Sequence, residues 1–470
     1  MSAPSGLRVA VVGGGWAGCA AAVELAANGV HATLIESARS LGGRARAVEV
    51  QGRLLDNGQH ILLGAYGETL RLLRQVGIDP DQALLRLPVQ MRYPEAPPDG
   101  SGGMDFVAPR LPAPLHLLVA LLRARGLQRA DKLALARFTS AARWMGWVLY
   151  TDCSVDELLA RFDQTPRLNR LLWHPLCIAA LNTPPARASA KVFLAVLRDS
   201  LGARRRAASD MLLPRLDMGA LFPQAAAGYV ARQGGAVLTG TRVAGVEREG
   251  DGWRLDLQGK AAVFEAVVLA TPASITAQLL GGHAPALAQQ LGSLGYEPIA
   301  TCYLQYDSSL RLDLPFYALL DDPAAGRWGQ FAFDRGQLDA SQPGLLAVVV
   351  SAAADAANLD QDALAAAIAA QLAADLRRPE LASPAWTRVI TEKRATFSCT
   401  PGLVRPGIDT ALPGLVLAGD YTASDYPATL ETAVQSGAQA AKLIRAYGTL
   451  PREKRSLSHA GGPGDPPSVQ

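Results

Sequence analysis

Residues Leu7–Glu36 read LRVAVVGGGWAGCAAAVELAANGVHATLIE. The apolar run Val9–Val12 has the composition of a buried strand, Ala17–Asn28 that of a helix, and His31–Ile35 that of a second buried strand. Between the first strand and the helix lie Gly13, Gly15 and Gly18, in the spacing G-x-G-x-x-G. In that context each glycine has its own task. Gly13 permits a tight turn, Gly15 lets the backbone approach a pyrophosphate, and Gly18 lets helix and strand pack closely. Trp16 and Ala17 open the helix, whose unpaired N–H groups and positive dipole end attract phosphate. Gly29 suits a helix C-cap, and Glu36 stands where an acid would hold ribose hydroxyls, which disfavours a 2′-phosphate. The stretch therefore predicts dinucleotide binding at a strand–turn–helix; a βαβ turn with a purely structural role is the alternative.

The rest of the composition narrows the class. At 470 residues the chain is long enough for two or more domains, and 49% hydrophobic with 19% charged residues gives ample core material. A balance of 45 basic against 42 acidic residues, net +3, excludes an electrostatically driven nucleic-acid partner. Cys19, Cys153, Cys177, Cys302 and Cys399 are odd in number and never form C-x-x-C, so reduced thiols are expected, with neither a disulfide frame nor a metal site. No leader precedes the first strand, and no apolar run reaches the roughly eighteen residues of a membrane span. These features predict a cytoplasmic protein.

Outward from the opening stretch, Ser40–Arg46 (SLGGRAR) offers a glycine turn and a guanidinium, Arg44, suited to phosphate oxygens. Asp56–His60 (DNGQH) is a turn that carries Gly58, Gln59 and His60, followed by an amphipathic helix over Glu68–Val76. From 87 to 219 the composition shifts. Prolines cluster at Pro94, Pro97, Pro98, Pro109, Pro112 and Pro114, and helices are predicted over Leu115–Leu122, Leu133–Tyr150 and Leu171–Phe193, the last broken at Pro184-Pro185. These helices serve either as core or, through Trp144, Met145, Trp147 and Tyr150, as an apolar surface lying on a bilayer. His174 is read as packing, and Arg204–Arg206 as a solvated basic face. Short strands follow at Ala236–Leu238, Arg242–Glu247, Trp253–Leu257 and Val263–Leu269, with further strands between Ile299 and Val350 and a helix over Leu364–Leu376. Gly414–Arg445 closes the pattern with a strand, the turn Gly419-Asp420, and a helix from Thr429. Asp420 suits a ribityl chain, and the helix N-terminus suits negative charge on a reduced flavin; a nicotinamide needs neither. The Pro/Gly/Ser-rich tail from Pro451 is expected to be disordered.

Together these stretches resemble the FAD-dependent amine oxidase and carotenoid desaturase superfamily. The resemblance implies an α/β fold, with a Rossmann-like FAD-binding domain in three pieces (1–86, 220–280, 401–448) interleaved with a helical, membrane-facing substrate region (87–219) and an α+β substrate sheet (281–400), before a tail over 449–470. It places Gly13, Gly15, Gly18 and Glu36 on the ADP half of FAD, Arg44 on the phosphates, Val243 on the adenine through its backbone, and Asp420 on the ribityl-phosphate region. Thr429, Glu431 and Ala433 would open the helix beneath the isoalloxazine. DNGQHILLGAY and AGDYTASDYPATLETAVQSG are more similar to plant-type phytoene desaturases than to amine oxidases, whose paired aromatics beside the flavin are not recognisable. DNGQH, WHPLCIAALNTPPARAS and Leu221–Pro223 are similar to the squalene-associated branch, the hydroxysqualene dehydroxylases of bacterial hopanoid synthesis.

That branch implies reductive loss of an allylic hydroxyl from a long isoprenoid, FAD as cofactor, an external electron donor, and contact with the inner face of the membrane. The chemistry requires an acid, an apolar channel and a hydride. His60 is the candidate acid or substrate-positioning group, with Asp425 and Glu431 as rivals, and Trp173 is a candidate for stabilising a cation through its π-face. A carotenoid desaturase remains the alternative, since no second G-x-G-x-x-G supplies a nicotinamide site to reduce FAD. An amine oxidase and a non-catalytic prenyl-binding protein are further alternatives.

Overall fold

A computed structural model describes residues 6–94 and 103–451. Pro97, Pro98 and the tail expected to be disordered, from 452 on, lie outside the described residues. Strand Arg8–Val12 occupies the middle of a five-stranded sheet whose order is 236–238, 31–35, 8–12, 266–269, 415–417, every neighbouring pair parallel. Both faces are covered, so the central strands are continuous apolar runs rather than alternating ones. Helix Trp16–Ala27 packs on this sheet, and the closing helix Leu430–Thr449 packs on it in turn. Their approach depends on Gly437, where a Cβ would stand 2.1 Å from the Ala17 carbonyl oxygen.

A second five-stranded sheet, ordered 316–318, 331–334, 345–350, 296–305, 386–397, is antiparallel throughout. Helix Gln361–Asp375 buries Leu364, Ile368 and Leu372 against one face, beside Cys302, Leu304 and Val348. The opposite face presents Tyr303, Phe316, Phe331 and Phe333 to the interior of the molecule. Between the first and second halves of the parallel sheet the chain runs through the helices of the 115–200 region. No helix among the described residues is long and apolar enough to cross a membrane.

Three segments depart from the pattern read in the sequence. Val263–Leu269 is two strands in two sheets: Lys260–Phe264 pairs antiparallel with Gly252–Leu257, and Ala266–Leu269 joins the parallel sheet. The break falls at Glu265, whose N–H donates to Arg8 O while its carboxylate accepts the Arg8 N–H. The helix expected over Leu133–Tyr150 runs Arg129–Trp144 instead, because Gly146 and Trp147 take positive φ (65° and 60°). The helix expected over Leu171–Phe193 begins as a π-turn, Asn169–Trp173, continues as His174–Leu181 and stops at left-handed Asn182; a separate helix, Ala190–Ser200, follows. His174 sits on the helix surface, 2.9 Å from Asp156. All five cysteines are free and buried.

Candidate active site

The two ends of the chain meet at one continuous cavity of about 1240 Å³. That exceeds the roughly 300–1,000 Å³ of ordinary small-molecule pockets and leaves room for more than one ligand. At one end stands the glycine turn. Gly13 has φ +109°, a conformation that a side chain disfavours, and a Cβ there would lie 2.5 Å from Ala270 O. Gly15 is the N-cap of helix Trp16–Ala27 and has no side chain to cap it, so the N–H groups of the first turn, at Trp16 and Ala17, are left for the cavity they line. Gly18 lies behind the turn: its missing Cβ would stand 1.9 Å from Gly13 O, so it sets packing and does not line the cavity.

Glu36 lines the same end, its two oxygens accepting the N–H groups of Gly14 and Ala38, each at 2.7 Å. Thr241 N donates to Glu36 O, which brings the segment carrying Val243 to the cavity wall. Farther along, Arg44 donates to Asp420 Oδ1 at 2.5 Å and to Ala395 O at 2.8 Å. Gly419 and Asp420 follow the last strand of the parallel sheet, and the Gly419 N–H is fixed by Ser436 Oγ at 2.8 Å. Thr429 caps the closing helix by accepting Thr432 N, and both Thr429 and Ala433 line the cavity.

Gly58, Gln59 and His60 line the middle of the cavity. The turn that carries them is held from the antiparallel sheet. Gln59 donates to Tyr303 Oη (2.8 Å) and accepts from Arg335 (3.1 Å), while Tyr303 donates to Asp56 O (2.6 Å). His60 Nε2 has no hydrogen-bond partner. Burial, helped by the Arg44 cation, pushes the His60 pKa down to about 4. The imidazole is therefore neutral at pH 7, which suits hydrogen bonding better than proton donation.

The other acids that the sequence offers fare differently. Asp425 is exposed and does not line the cavity. Glu431 does, but both its oxygens are committed as acceptors: Glu68 N and Gln435 Nε2 meet Oε1, and Thr69 N and Oγ1 meet Oε2, all at 2.7–2.9 Å. It ties the start of helix Gly67–Val76 to the closing helix. Trp173 is likewise not a cavity residue. It is fully buried, donates to Gln164 Oε1 and packs edge-on against Phe138 and Phe193. The phenylalanines that do line the cavity are Phe106, Phe316, Phe331 and Phe333.

A group that the sequence reading passed over lies beside Asp425. Tyr426 Oη is hydrogen-bonded to Asp199 and lies 3.0 Å from Arg198 Nη2, with Arg198 Nε on Asp199 Oδ1 at 2.8 Å. Tyr426 and Asp199 both line the cavity. Burial pushes the Asp199 carboxyl up, but hydrogen bonds from Arg198 and Tyr426 outweigh it and hold the pKa below the usual range. Burial and the Asp199 charge raise the Tyr426 phenol, which therefore keeps its proton. The signal for Tyr426 was its place in the DYPATLE run; Asp199, near the end of an apolar helix, carried none.

The sequence model of the flavin containing amine oxidoreductases matches residues 16–445. The chain belongs to that family. The cyclohexylamine oxidase of Brevibacterium oxydans has a similar fold, with TM-score 0.66, 16% identity, and 94% and 99% of the two chains covered. A hydroxysqualene dehydroxylase of Rhodopseudomonas palustris is 29% identical over 94% of this chain and 99% of its own length. A 15-cis-phytoene desaturase of an Oncidium hybrid cultivar is 24% identical over 93% and 78%. As a family member the chain is an oxidoreductase with FAD as its cofactor. The structure fits that group: a side-chain-free turn with uncapped helix N–H groups, a guanidinium beside it, and a second helix N-terminus on one cavity.

Proposed function

We propose that the chain reductively removes the allylic hydroxyl of hydroxysqualene, giving squalene. The observation that carries this reading is the single cavity, which joins the glycine turn and the Arg44–Asp420 pair to an apolar arm lined by Leu117, Leu121, Leu135, Leu172, Leu176 and the phenylalanines of the antiparallel sheet. A long hydrocarbon chain fits such an arm, and an amine does not call for one. The full-length likeness to hydroxysqualene dehydroxylases supports the choice.

In this reading Gly13, Gly15, Trp16, Ala17, Glu36 and Val243 hold the adenosine and pyrophosphate half of FAD, with Gly18 keeping the turn in shape. Arg44, Gly58, Gln59, Gly419, Asp420, Thr429 and Ala433 hold the flavin half. Bound there in its reduced form, FAD would supply the hydride that takes the place of the hydroxyl. The unpaired His60 Nε2 accepts a hydrogen bond from that hydroxyl and orients it. Tyr426 gives the proton with which the hydroxyl leaves as water; Arg198 stabilises the phenolate left behind, and Asp199 lies on the path that restores the proton. The carbon–oxygen bond breaks while the ring faces of Phe331 and Phe333 lie along the allylic cation.

The test is anaerobic incubation of photoreduced holoenzyme with hydroxysqualene, followed by mass analysis. Squalene is the expected product. No conversion there, with phytoene dehydrogenated by the oxidised enzyme, selects the desaturase instead.

A further inference from the structure

Arg335 follows strand Phe331–Asp334 of the antiparallel sheet, is 2% exposed and does not line the cavity. A guanidinium taken out of water usually meets a carboxylate. Among the described residues this one donates instead to two amide oxygens, Gln59 Oε1 at 3.1 Å and Gln342 Oε1 at 3.2 Å. Asp56 feels the charge, but its own Oδ1 accepts the Met218 N–H. A buried cation without an ion pair is costly, and a neutral donor would hold the turn as well. The chain of hydrogen bonds that starts at Arg335 can run in only one direction. A guanidinium only donates, so Gln59 turns its oxygen toward Arg335 and its nitrogen toward Tyr303. A peptide carbonyl only accepts, so the Tyr303 hydroxyl spends its proton on Asp56 O and accepts from Gln59 Nε2. The amide therefore cannot flip, and the cation at one end draws electron density from it. One Gln59 N–H remains. It has no partner among the described residues, and Gln59 lines the cavity.

We infer that this N–H is a hydrogen-bond donor to the flavin ring, and that Arg335, acting through it, is a positioning residue that makes the site prefer reduced, negatively charged flavin over oxidised flavin. The inference rests on the placement of the flavin half beside Gln59 proposed above. A donor polarised by a buried cation gains most when its acceptor becomes an anion, because hydrogen bonds to charged groups are about twice as strong as neutral ones. Such a bias lets a weaker reductant load the flavin.

The experiment measures the midpoint potential of the bound flavin against a reference dye, and the affinity of apoprotein for oxidised FAD, in wild type, Arg335→Gln, Arg335→Lys, Gln59→Leu and Arg335→Gln/Gln59→Leu. Arg335→Gln keeps a donor for Gln59 Oε1 and removes only the charge. It is expected to bind oxidised FAD as wild type does and reduced FAD about tenfold more weakly, which is a potential about 30 mV lower. Arg335→Lys keeps the charge and should hold the preference within about threefold of wild type. Gln59→Leu should lower the potential at least as far as Arg335→Gln, and the double variant should fall no further than Gln59→Leu. A purely structural Arg335 would weaken oxidised and reduced FAD alike, so a potential unmoved by Arg335→Gln overturns the inference. An equal shift with and without Gln59 overturns it too, since the charge would then act directly through space. Should Arg335→Gln hold no flavin, Gln59→Leu decides, and an unmoved potential there overturns the inference. None of these measurements uses hydroxysqualene. Potentials as expected, with no squalene formed by any preparation, overturn the proposed reaction and leave the role of Arg335 standing.

Discussion

Glu431 is the acid for which sequence and structure assign opposite roles, and Glu431→Gln separates them. The carboxylate receives four hydrogen bonds, two of them from the backbone N–H groups of Glu68 and Thr69 at the start of helix Gly67–Val76. An amide keeps one acceptor oxygen and turns the other into a donor that faces an N–H. Hydrogen bonds to a charged group contribute about 1.5–3 kcal/mol each, and a buried donor left unpaired costs about 1–3 kcal/mol. With the surviving oxygen still bonded, the expected loss is about 2–4 kcal/mol, and about 3–5 kcal/mol for Glu431→Ala. The assay has two readouts: urea-induced release of flavin followed by fluorescence, and turnover per bound flavin in native buffer. Both variants should release flavin at lower urea, with Glu431→Ala the more affected. Turnover per bound flavin should stay within about twofold of wild type. A variant with wild-type urea resistance but turnover reduced a hundredfold would make Glu431 the proton donor after all and refute the structural role.

Arg44 and Asp420 form a pair with Asp420 nearly buried, so Arg44→Met should strand a buried carboxylate at a cost of about 3–5 kcal/mol and yield flavin-poor protein. Arg44→Met/Asp420→Asn should recover thermal stability without recovering flavin content; absorbance ratios of the purified proteins check both. Because His60 is neutral above about pH 4, wild type and His60→Gln should share one pH–rate profile between about pH 5.5 and 8, with His60→Ala slower throughout. An inflection near pH 6.5 present only in wild type would refute the neutral assignment. Burial raises Asp56 from 3.8 to about 6, so its protonated form is favoured by folding. That contribution is full below about pH 4 and is lost as pH rises through 6, an amount of about 3 kcal/mol. Asp56→Asn should therefore gain stability relative to wild type on going from pH 4 to pH 7, and a difference that stays constant with pH would sink the argument. Tyr426→Phe should slow conversion of hydroxysqualene strongly while leaving flavin content unchanged, measured by product mass and absorbance.

What could be read from the chain depended on whether a residue's role is local. The turn at Gly13–Gly18 is a local device, and its spacing, flanking strands and helix all lie within one window. The facing of Arg44 by Asp420 is not local, yet both sit in motifs with a nucleotide rationale, so the shared cavity could be expected. Partners without such a rationale stayed hidden. Val263–Leu269 is uniformly β-prone, and nothing in it says that Glu265 hands the chain from one sheet to another. An aromatic in an apolar block looks the same whether it faces a cavity or a core, which is why Trp173 was misplaced and Phe331 overlooked. An acid in the first turn of a helix serves equally as a cap or as a catalyst. Only the position of Glu68 and Thr69, far away in sequence, decides for Glu431.

The order of strands in the parallel sheet bears on how the protein is made. Residues 8–12 leave the ribosome long before 415–417, yet they are separated in the finished sheet by the single strand 266–269. Until 415–417 and the helix Leu430–Thr449 are made, the apolar edge of Ala266–Leu269 and the side of helix Trp16–Ala27 that meets that helix have no cover. Contacts of such separation form slowly and leave the nascent chain open to aggregation. Truncation before the final helix should therefore forfeit cofactor loading altogether, and expression yield should track chaperone supply more closely than the stability of the finished protein.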